Sequence, residues 1–241
     1  MKLTLRHYAF ALACIAVPIL LSACSTSKRA DNYYPVTRGG DYQPAAGDRT
    51  ECMASWYGKD FHGRPTASGE IYDMYGMTCA HRDYPLGTRI KVTNVSNGKD
   101  VECIINDRGP FVAGRDLDLS YGAARQIDLI GPGVGRVRLE VLGREQRYQK
   151  EVRYGKTGGG AVTIQTGSFR DEENARKLKM GLDLHYKDVY IMKVLIGGEH
   201  YFRVRMGRFK DRGDALKTAE PLAREGYDVL ITKYEKSKEN N

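Results

Sequence analysis

Short runs of apolar residues recur along the middle of the chain, and turn residues separate them. The runs have the pattern of strands over residues 53–57, 77–80, 89–94, 101–106 and 134–142. Asn97-Gly98, between the third and fourth runs, is a pair that two-residue hairpin turns favour. One short helix is predicted over residues 120–126, with Asp118 or Ser120 as its cap. Many short strands with one small helix predict a closed, all-β barrel over residues 51–143.

A second region, residues 161–236, contains an internal repeat. The segments QTGSF and RMGRF occupy equivalent places, each at the end of a strand-like run and before an amphipathic helix. The helices begin near Asp171 and Asp211, and strand patterns cover residues 161–167, 189–195, 201–207 and 228–234. The order β-α-β-β-α-β predicts an α+β domain with a four-stranded sheet and two helices on one face.

Residues 1–23 have the pattern of an export signal. Lys2 and Arg6 precede an apolar run of about 14 residues, which suits a signal peptide better than a membrane-spanning helix. The run ends in Leu21-Ser22-Ala23-Cys24, which resembles a bacterial lipobox and implies a lipid on Cys24. Ser25 after it implies sorting to the outer membrane, facing the periplasm. An ordinary secretory signal with a chance cysteine is the alternative.

Polar segments separate these parts. Residues 24–50 hold the cysteine and then a run rich in Ser, Thr, Gly, Asp, Tyr and Pro, which predicts a flexible tether. Residues 144–160 end in three glycines and predict a second linker. Residues 237–241 form a short polar tail.

Composition narrows the class of partner. Charged residues make up 28% of the chain and mean hydropathy is −0.51, which rules out a multi-span membrane protein. The formal charge is +8, and removal of the predicted signal leaves 36 positive against 30 negative residues. A basic, exported chain favours an acidic wall polymer such as peptidoglycan, and export argues against nucleic acid.

Three cysteines follow Cys24, at positions 52, 79 and 103. An oxidising periplasm favours one disulfide among three possible pairings, and three buried thiols are the alternative. No C-x-x-C or histidine spacing supports a metal site, and no cofactor is predicted.

Three long stretches carry a family resemblance. They are ASWYGKDFHGRPTASGEIYDMYGMTCAH, YPLGTRIKVTN and INDRGPFVAGRDLDLSYGAA, between residues 54 and 124. They resemble the rare lipoprotein A family, RlpA, and the repeat region resembles a SPOR domain. The resemblance implies a double-psi β-barrel, similar in fold to expansins. It also implies a SPOR domain that binds peptidoglycan strands stripped of their stem peptides, which accumulate at division septa.

The resemblance further implies an endolytic lytic transglycosylase, which is a lyase. Such an enzyme breaks the β-1,4 bond between N-acetylmuramic acid and N-acetylglucosamine, and the muramic 6-hydroxyl closes on C1 to give a 1,6-anhydro end. The protein would be enriched at the septum, anchored through Cys24, with other division proteins as further partners. The alternatives are an expansin-like protein that binds the wall without cleaving it, and a septal scaffold.

This chemistry requires a carboxylic acid that protonates the leaving oxygen and then accepts the hydroxyl proton. A second carboxylate can stabilise positive charge at C1. The resemblance implies that Asp107 is the acid/base, Glu70 the second carboxylate and His81 an orienting hydrogen-bond partner. From spacing alone, Asp107 is a turn former, Glu70 a solvated loop charge and His81 a structural residue.

Other residues of the barrel are candidates for binding sugar. Trp56 and Tyr57 offer flat faces for stacking, with core packing as the alternative. Arg108 and Arg115 are candidates for the muramyl carboxylate, with ion pairs of the barrel as the alternative. Asp118 is expected to fix the loop and helix cap, and it can also reach the groove.

In the repeat region, strand alternation predicts a glycan-binding face. Val162, Ile164, Thr166, Phe202, Val204 and Met206 would face the helices. Thr163, Gln165, Tyr201, Arg203 and Arg205 would form a polar, basic and aromatic platform on the open face. Ser168, just after the first strand, is a further candidate for binding substrate. A merely solvated face is the alternative.

The chain departs from the family at Cys79, where most relatives have alanine. Cys103 lies four residues before Asp107. We predict that Cys79 and Cys103 form a bridge that braces the site and leaves Cys52 free.

Overall fold

The computed structural model describes residues 44–235. The predicted export signal, Cys24 and residues 25–43 lie outside the described residues, as does the tail from residue 236. Within 44–235, no helix is both long enough and apolar enough to cross a membrane.

Six strands of the first domain form a closed barrel. They are β1 (Arg49–Tyr57), β2 (Thr78–His81), β3 (Thr88–Asn94), β4 (Asp100–Asp107), β5 (Leu117–Ser120) and β6 (Gly135–Arg144). Their order around the barrel is β1-β5-β2-β4-β3-β6. The β1–β5 and β2–β4 pairs are parallel, and the other pairs for which a register is defined are antiparallel. The five predicted strands are all present, and β5 is an additional one.

Alternation along the strands fills the barrel. On β6, Val137, Leu139 and Val141 are buried, while Arg136 and Arg138 face solvent. β3 and β4 form a hairpin as predicted, and Gly98 has a positive φ of 73° in its loop. The loop is longer than the predicted two-residue turn, because residues 95–99 separate the two strands.

One short helix, α1 (Tyr121–Gln126), follows β5. The hydroxyl of Ser120 accepts a hydrogen bond from the Ala123 backbone N–H, so Ser120 and not Asp118 is the cap. A Cβ atom at Gly122 would lie 2.4 Å from the carbonyl oxygen of Tyr75. Glycine at this position lets the helix pack directly on the loop before β2.

The second domain is a five-stranded sheet with two helices. Its strands are β7 (Val152–Tyr154), β8 (Val162–Phe169), β9 (Val189–Ile196), β10 (Glu199–Phe209) and β11 (Val229–Lys233). The helices are α2 (Glu172–Asp183) and α3 (Arg212–Glu225), and Asp171 and Asp211 cap them as the repeat suggests. The sheet order is β7-β11-β8-β10-β9.

The sheet therefore has five strands, one more than the four predicted. Residues of β7 lie in the segment that polar composition assigns to a linker. They pair in parallel with β11, and Val152 packs against the core of the second domain. Tyr148, in a short 3-10 helix just before β7, is also buried in that core. Two apolar anchors among polar neighbours are sufficient to order the segment, and composition alone does not show them.

The barrel and the sheet domain pack against each other. Leu86, from the barrel loop before β3, is buried within the core of the second domain. Its backbone N–H donates to the carbonyl oxygen of Glu225 at 2.9 Å. Gly226 ends α3 with a φ of 101°, and a Cβ there would lie 2.8 Å from that of Leu86. This contact fixes α2 and α3 relative to the end of the barrel.

Candidate active site

A groove of about 600 Å³ lies where the barrel meets α2. On the barrel side, the end of β1, the loop after it and the turn after β4 line the groove. On the other side, α2 contributes Glu173, Asn174, Arg176, Lys177 and Met180. The barrel wall is strongly aromatic: its rings are Trp56, Tyr57, Phe61, Tyr72 and Phe111. Such a wall suits the flat faces of sugar rings.

Asp107 is the last residue of β4 and lies in this groove. Its Oδ1 accepts hydrogen bonds from the backbone N–H groups of Ala67, at 2.9 Å, and Arg108, at 2.8 Å. Its Oδ2 contacts the ammonium of Lys177 on α2. The residue is only 1% exposed. Both carboxylate oxygens are therefore held, one by the barrel and one by the second domain.

Asp118 is the second carboxyl of the groove. It projects from β5, accepts a hydrogen bond from the Ser55 hydroxyl, and lies 3.8 Å from the guanidinium of Arg115. Burial raises the pKa of Asp118, and the nearby charge of Asp107 adds to this effect. The hydrogen bond from Ser55 and the charges of Arg115 and Lys177 act in the opposite direction and favour the carboxylate.

Glu70 does not line the groove. Its Oε2 accepts hydrogen bonds from the Asn106 side chain, at 3.0 Å, and the Tyr148 hydroxyl, at 2.7 Å. Arg147 lies 3.4 Å from Oε1. Glu70 therefore ties its loop to the residue before Asp107 and to the inter-domain segment. The structure favours a positioning role for Glu70, whose part in catalysis stays a prediction.

His81, at the end of β2, also lies outside the residues that line the groove. Its Nδ1 accepts hydrogen bonds from the backbone N–H groups of Asp83 and Tyr84, at 3.0 and 3.1 Å. Its ring stacks on that of Tyr84, with the centroids 4.2 Å apart. Burial, followed by the charges of Arg108 and Arg82, lowers the pKa of His81 to about 3. The imidazole is neutral, carries its proton on Nε2, and holds the turn after β2.

The burial of His81 predicts acid sensitivity. Its pKa is about 3 in the folded protein and near 6.5 in the unfolded chain, so the unfolded chain binds more protons between these values. Stability must therefore fall as the pH is lowered through this window, by about 2 kcal/mol between pH 7 and pH 5. Urea denaturation at both pH values should show this loss in the wild type and a smaller loss in His81→Gln. His200→Gln, at an exposed position, is the control, and an unchanged pH dependence in His81→Gln would contradict the assignment.

Trp56 and Tyr57 combine the two roles weighed from the sequence. Both line the groove. Trp56 also packs against the barrel core and meets the edge of Tyr121 at 5.7 Å. Tyr57 stacks on Tyr72, with the ring centroids 4.3 Å apart. Packing on one side holds these rings rigid, and the other side remains available to a sugar.

Arg108 has a different role from the predicted one. Its Nε donates to the Tyr227 hydroxyl at 2.6 Å, and its Nη1 donates to the carbonyl oxygen of Tyr84 at 2.9 Å. The residue is 2% exposed. The guanidinium therefore joins the barrel to the second domain and is not available to a muramyl carboxylate. Arg115 remains half-buried beside Asp118, as an ion-pair partner.

The predicted platform on the second domain is only partly present. Arg205 is buried, and its guanidinium is engaged by Gln165, at 3.2 Å, and Glu235, at 3.1 Å. Thr163 is also buried, so these two residues do not offer their polar groups to a ligand. Ser168 is exposed, Arg203 is half-buried, and Tyr201 is half-buried. The guanidinium of Arg170, which the alternation pattern did not include, lies 5.8 Å from the Tyr201 ring.

All three cysteines of the described chain are free thiols. The predicted bridge between Cys79 and Cys103 is thus absent, although the two buried side chains are in hydrogen-bond contact. Burial raises the pKa of the Cys79 thiol well above its ordinary value, which makes it unreactive. Within residues 44–235, no group of three or more His, Cys, Asp or Glu side chains could hold a metal ion.

Lys177, which contacts Asp107, is a groove residue that the sequence did not predict. It lies 70 positions after Asp107, on the polar face of α2. An exposed helical lysine is ordinary, and no motif connects it to the barrel. Only the packing of the two domains brings it to Asp107.

Comparison with known proteins agrees with this architecture. A family model described as "Lytic transglycolase" matches residues 49–139, and the SPOR domain model matches residues 158–233. Three similar curated proteins, each named endolytic peptidoglycan transglycosylase RlpA, come from Campylobacter jejuni, Vibrio cholerae and Pasteurella multocida.

The identities are 38%, 37% and 34%, over 65%, 75% and 83% of this chain. The matches span 64%, 67% and 70% of those relatives' own lengths, so the chain covers slightly less than two thirds of the Campylobacter protein. Together with the barrel and the sheet domain that follows it, these matches show that the chain belongs to the RlpA family, with a double-psi β-barrel and a SPOR domain.

Proposed function

We propose that this protein is an endolytic peptidoglycan transglycosylase. It would cleave β-1,4 bonds between N-acetylmuramic acid and N-acetylglucosamine and leave 1,6-anhydro ends. The observation that carries the proposal is the pair of carboxyl groups, Asp107 and Asp118, in one groove with an aromatic wall. The names of the similar proteins support the same activity.

Asp107 is the proposed acid and base of the reaction. In protonated form it gives its proton to the leaving glycosidic oxygen, and the C1–O bond breaks. The resulting carboxylate then takes the proton of the muramic 6-hydroxyl as that oxygen bonds to C1. The proton count balances without a water molecule, so one carboxyl group serves both steps.

Asp118 takes the electrostatic part that was predicted for Glu70. Positive charge develops at C1 in the transition state. Asp118 lines the same groove as Asp107, and its ionised carboxylate would stabilise a positive centre that forms beside it. Glu70 would contribute by holding Asn106 and hence the end of β4 in place.

Peptide-free strands at the septum are the proposed substrate. A SPOR domain model matches residues 158–233, and Ser168, Tyr201 and Arg203 remain at least partly accessible on the sheet. Attachment to the outer membrane through Cys24 would place the groove against the wall. The substrate and the location were both predicted from the sequence, and they are retained here as parts of the proposal.

The test uses the full chain purified in detergent. It is incubated with sacculi that an amidase has stripped of stem peptides, and released glycans are analysed by mass spectrometry. Products lighter than hydrolysis products by one water molecule are expected. Products of hydrolytic mass would contradict the transglycosylase class. If no product forms and the protein pellets with the sacculi, the wall-binding alternative replaces the enzyme.

A further inference from the structure

Lys177 occupies the part of the groove that a sugar must reach. Its ammonium contacts Oδ2 of Asp107 and lies 5.3 Å from the centre of the Phe61 ring and 5.9 Å from that of Tyr57. The side chain is 28% exposed, whereas that of Asp107 is 2% exposed. The ammonium therefore covers the one oxygen of Asp107 that the barrel does not bond itself.

The backbone that carries Lys177 is firmly placed. One turn further along α2, a Cβ at Gly181 would lie 2.8 Å from the Cβ of Arg108, so the helix meets the barrel at close range. Arg108 in turn bonds Tyr227 of the second domain. The lysine side chain, by contrast, is a flexible four-carbon stem with a mobile charge. Lys177 can therefore leave Asp107 without separation of the domains.

While it stays on Asp107, Lys177 opposes the proposed reaction. The ammonium occupies the position at Oδ2 of Asp107 in which the acidic proton would have to lie. The ammonium also covers the oxygen that must face the glycosidic bond. In addition, its positive charge repels the charge that develops at C1. Lys177 must move before the bond can break.

We propose that Lys177 is a gating and specificity residue, which leaves Asp107 when it binds the free lactyl carboxylate of a peptide-free muramic acid. This inference rests on the proposed function. The lysine would exchange one carboxylate for another, so no ion pair is lost. Oδ2 of Asp107 is then open to protonation by hydronium from the solvent, and the protonated carboxyl group serves as the acid.

A stem peptide on the muramic acid would prevent this exchange of carboxylates. In a peptide-bearing strand the lactyl carboxyl group is an amide and carries no charge, so it cannot compete with Asp107 for the ammonium. Three other cationic side chains of the groove already have carboxylate partners: Arg64 with Glu173, Arg115 with Asp118, and Arg176 with Glu172. The fourth, Arg108, is buried and bonded to Tyr227 and Tyr84. Among the described residues, Lys177 is the cation whose release from its partner also frees the proposed acid.

The experiment compares two defined glycan oligomers of alternating N-acetylglucosamine and N-acetylmuramic acid. One has free lactyl carboxylates, and in the other these are neutral methylamides. Full-length wild type, Lys177→Met and Lys177→Gln are assayed in detergent for kcat/KM of anhydro-product release. The control is Lys179→Met, on the same helix, where the lysine pairs with Asp183 and does not line the groove.

We expect the wild type and Lys179→Met to prefer the free-acid oligomer by about tenfold or more, as for a charge-assisted contact. Both Lys177 variants should lose this preference. They should cleave the methylamide oligomer faster than the wild type does, and the free-acid oligomer more slowly. A structural defect would instead lower both rates, because it cannot distinguish the two oligomers.

Two results would overturn the proposal. One is a wild-type preference that persists in Lys177→Met and Lys177→Gln. The other is an equal loss on both oligomers in these variants. If the wild type releases no anhydro products from either oligomer, then the proposed function itself has failed, and the gate fails with it. These patterns differ, so the two failures can be told apart.

Discussion

Replacing Asp107 by asparagine should lower the rate of anhydro-product release by about 10³-fold or more, since proton transfer and the charge of the carboxylate are lost together. The amide oxygen of asparagine can still accept the hydrogen bonds that Ala67 and Arg108 donate. The fold should therefore be retained, and binding to sacculi should change little. Initial rates on peptide-stripped sacculi, with pelleting of the protein beside them, measure both quantities.

The matched control for this experiment is Asp100→Asn. Asp100 is exposed at the opposite end of the same strand, β4, and should tolerate the change with full activity. If Asp107→Asn keeps more than about one tenth of the wild-type rate, then Asp107 is not the acid, because loss of a general acid costs at least 10²-fold. Asp118 would then become the first candidate, since it is the other carboxyl group on the barrel side of the groove, whereas Glu173 lies on α2.

Sequence patterns predict the features of this fold that depend on residues close together in the chain. Alternating burial along β6 follows from the alternating apolar residues. The helix starts at Asp171 and Asp211 follow from side chains that accept backbone hydrogen bonds at a helix end. These features depend on neighbours within a few residues, which the sequence places side by side.

The two missed strands depend on distant partners. β5 has only four residues and pairs in parallel with β1, more than sixty positions earlier. β7 has three residues and needs the edge of β11. Neither segment has a pattern that identifies it as a strand, because long-range pairing, not intrinsic preference, makes these residues extended.

The residues of the candidate site also differ in whether the sequence predicts them. Asp107, Trp56 and Tyr57 lie within the long motifs and were predicted from them. Phe61, Tyr72 and Phe111 lie within the same motifs, but only the structure identifies them as part of the aromatic wall. Lys177 reaches Asp107 only because Leu86 and Arg108 attach the second domain to the end of the barrel. Burial of Arg205 likewise depends on a partner, Glu235, thirty positions away. Side-chain alternation gives the face of a strand, but not what covers that face.

The packed segment before β7 also changes how the two domains can cooperate. A flexible linker would let the SPOR domain raise the local concentration of glycan without any fixed geometry. Tyr148 is instead buried and donates a hydrogen bond to Glu70 of the barrel. One domain can therefore act on the other through direct contacts, of which the Lys177–Asp107 pair is one.

Replacing Arg108 by alanine should lower the free energy of unfolding by about 3 kcal/mol, because it removes a buried charged group that bonds both domains. The carbonyl oxygen of Tyr84 and the hydroxyl of Tyr227 would each lose a charged donor. Lysine should not restore the loss, since one ammonium cannot reproduce the planar, forked geometry of guanidinium. Urea denaturation of the full chain in the detergent used for the activity assays, followed by circular dichroism, gives the free energies if the transition is two-state.

The control variant is Arg89→Ala, on β3. Arg89 pairs with Glu102 at 3.0 Å, but both side chains are about half exposed. An exposed ion pair contributes about 0.5 kcal/mol, so this variant should be nearly as stable as the wild type. If Arg108→Ala is no less stable than Arg89→Ala, then the guanidinium does not hold the domains together. The position of α2, and with it the approach of Lys177 to Asp107, would then depend mainly on the apolar contacts of Leu86 and Tyr148.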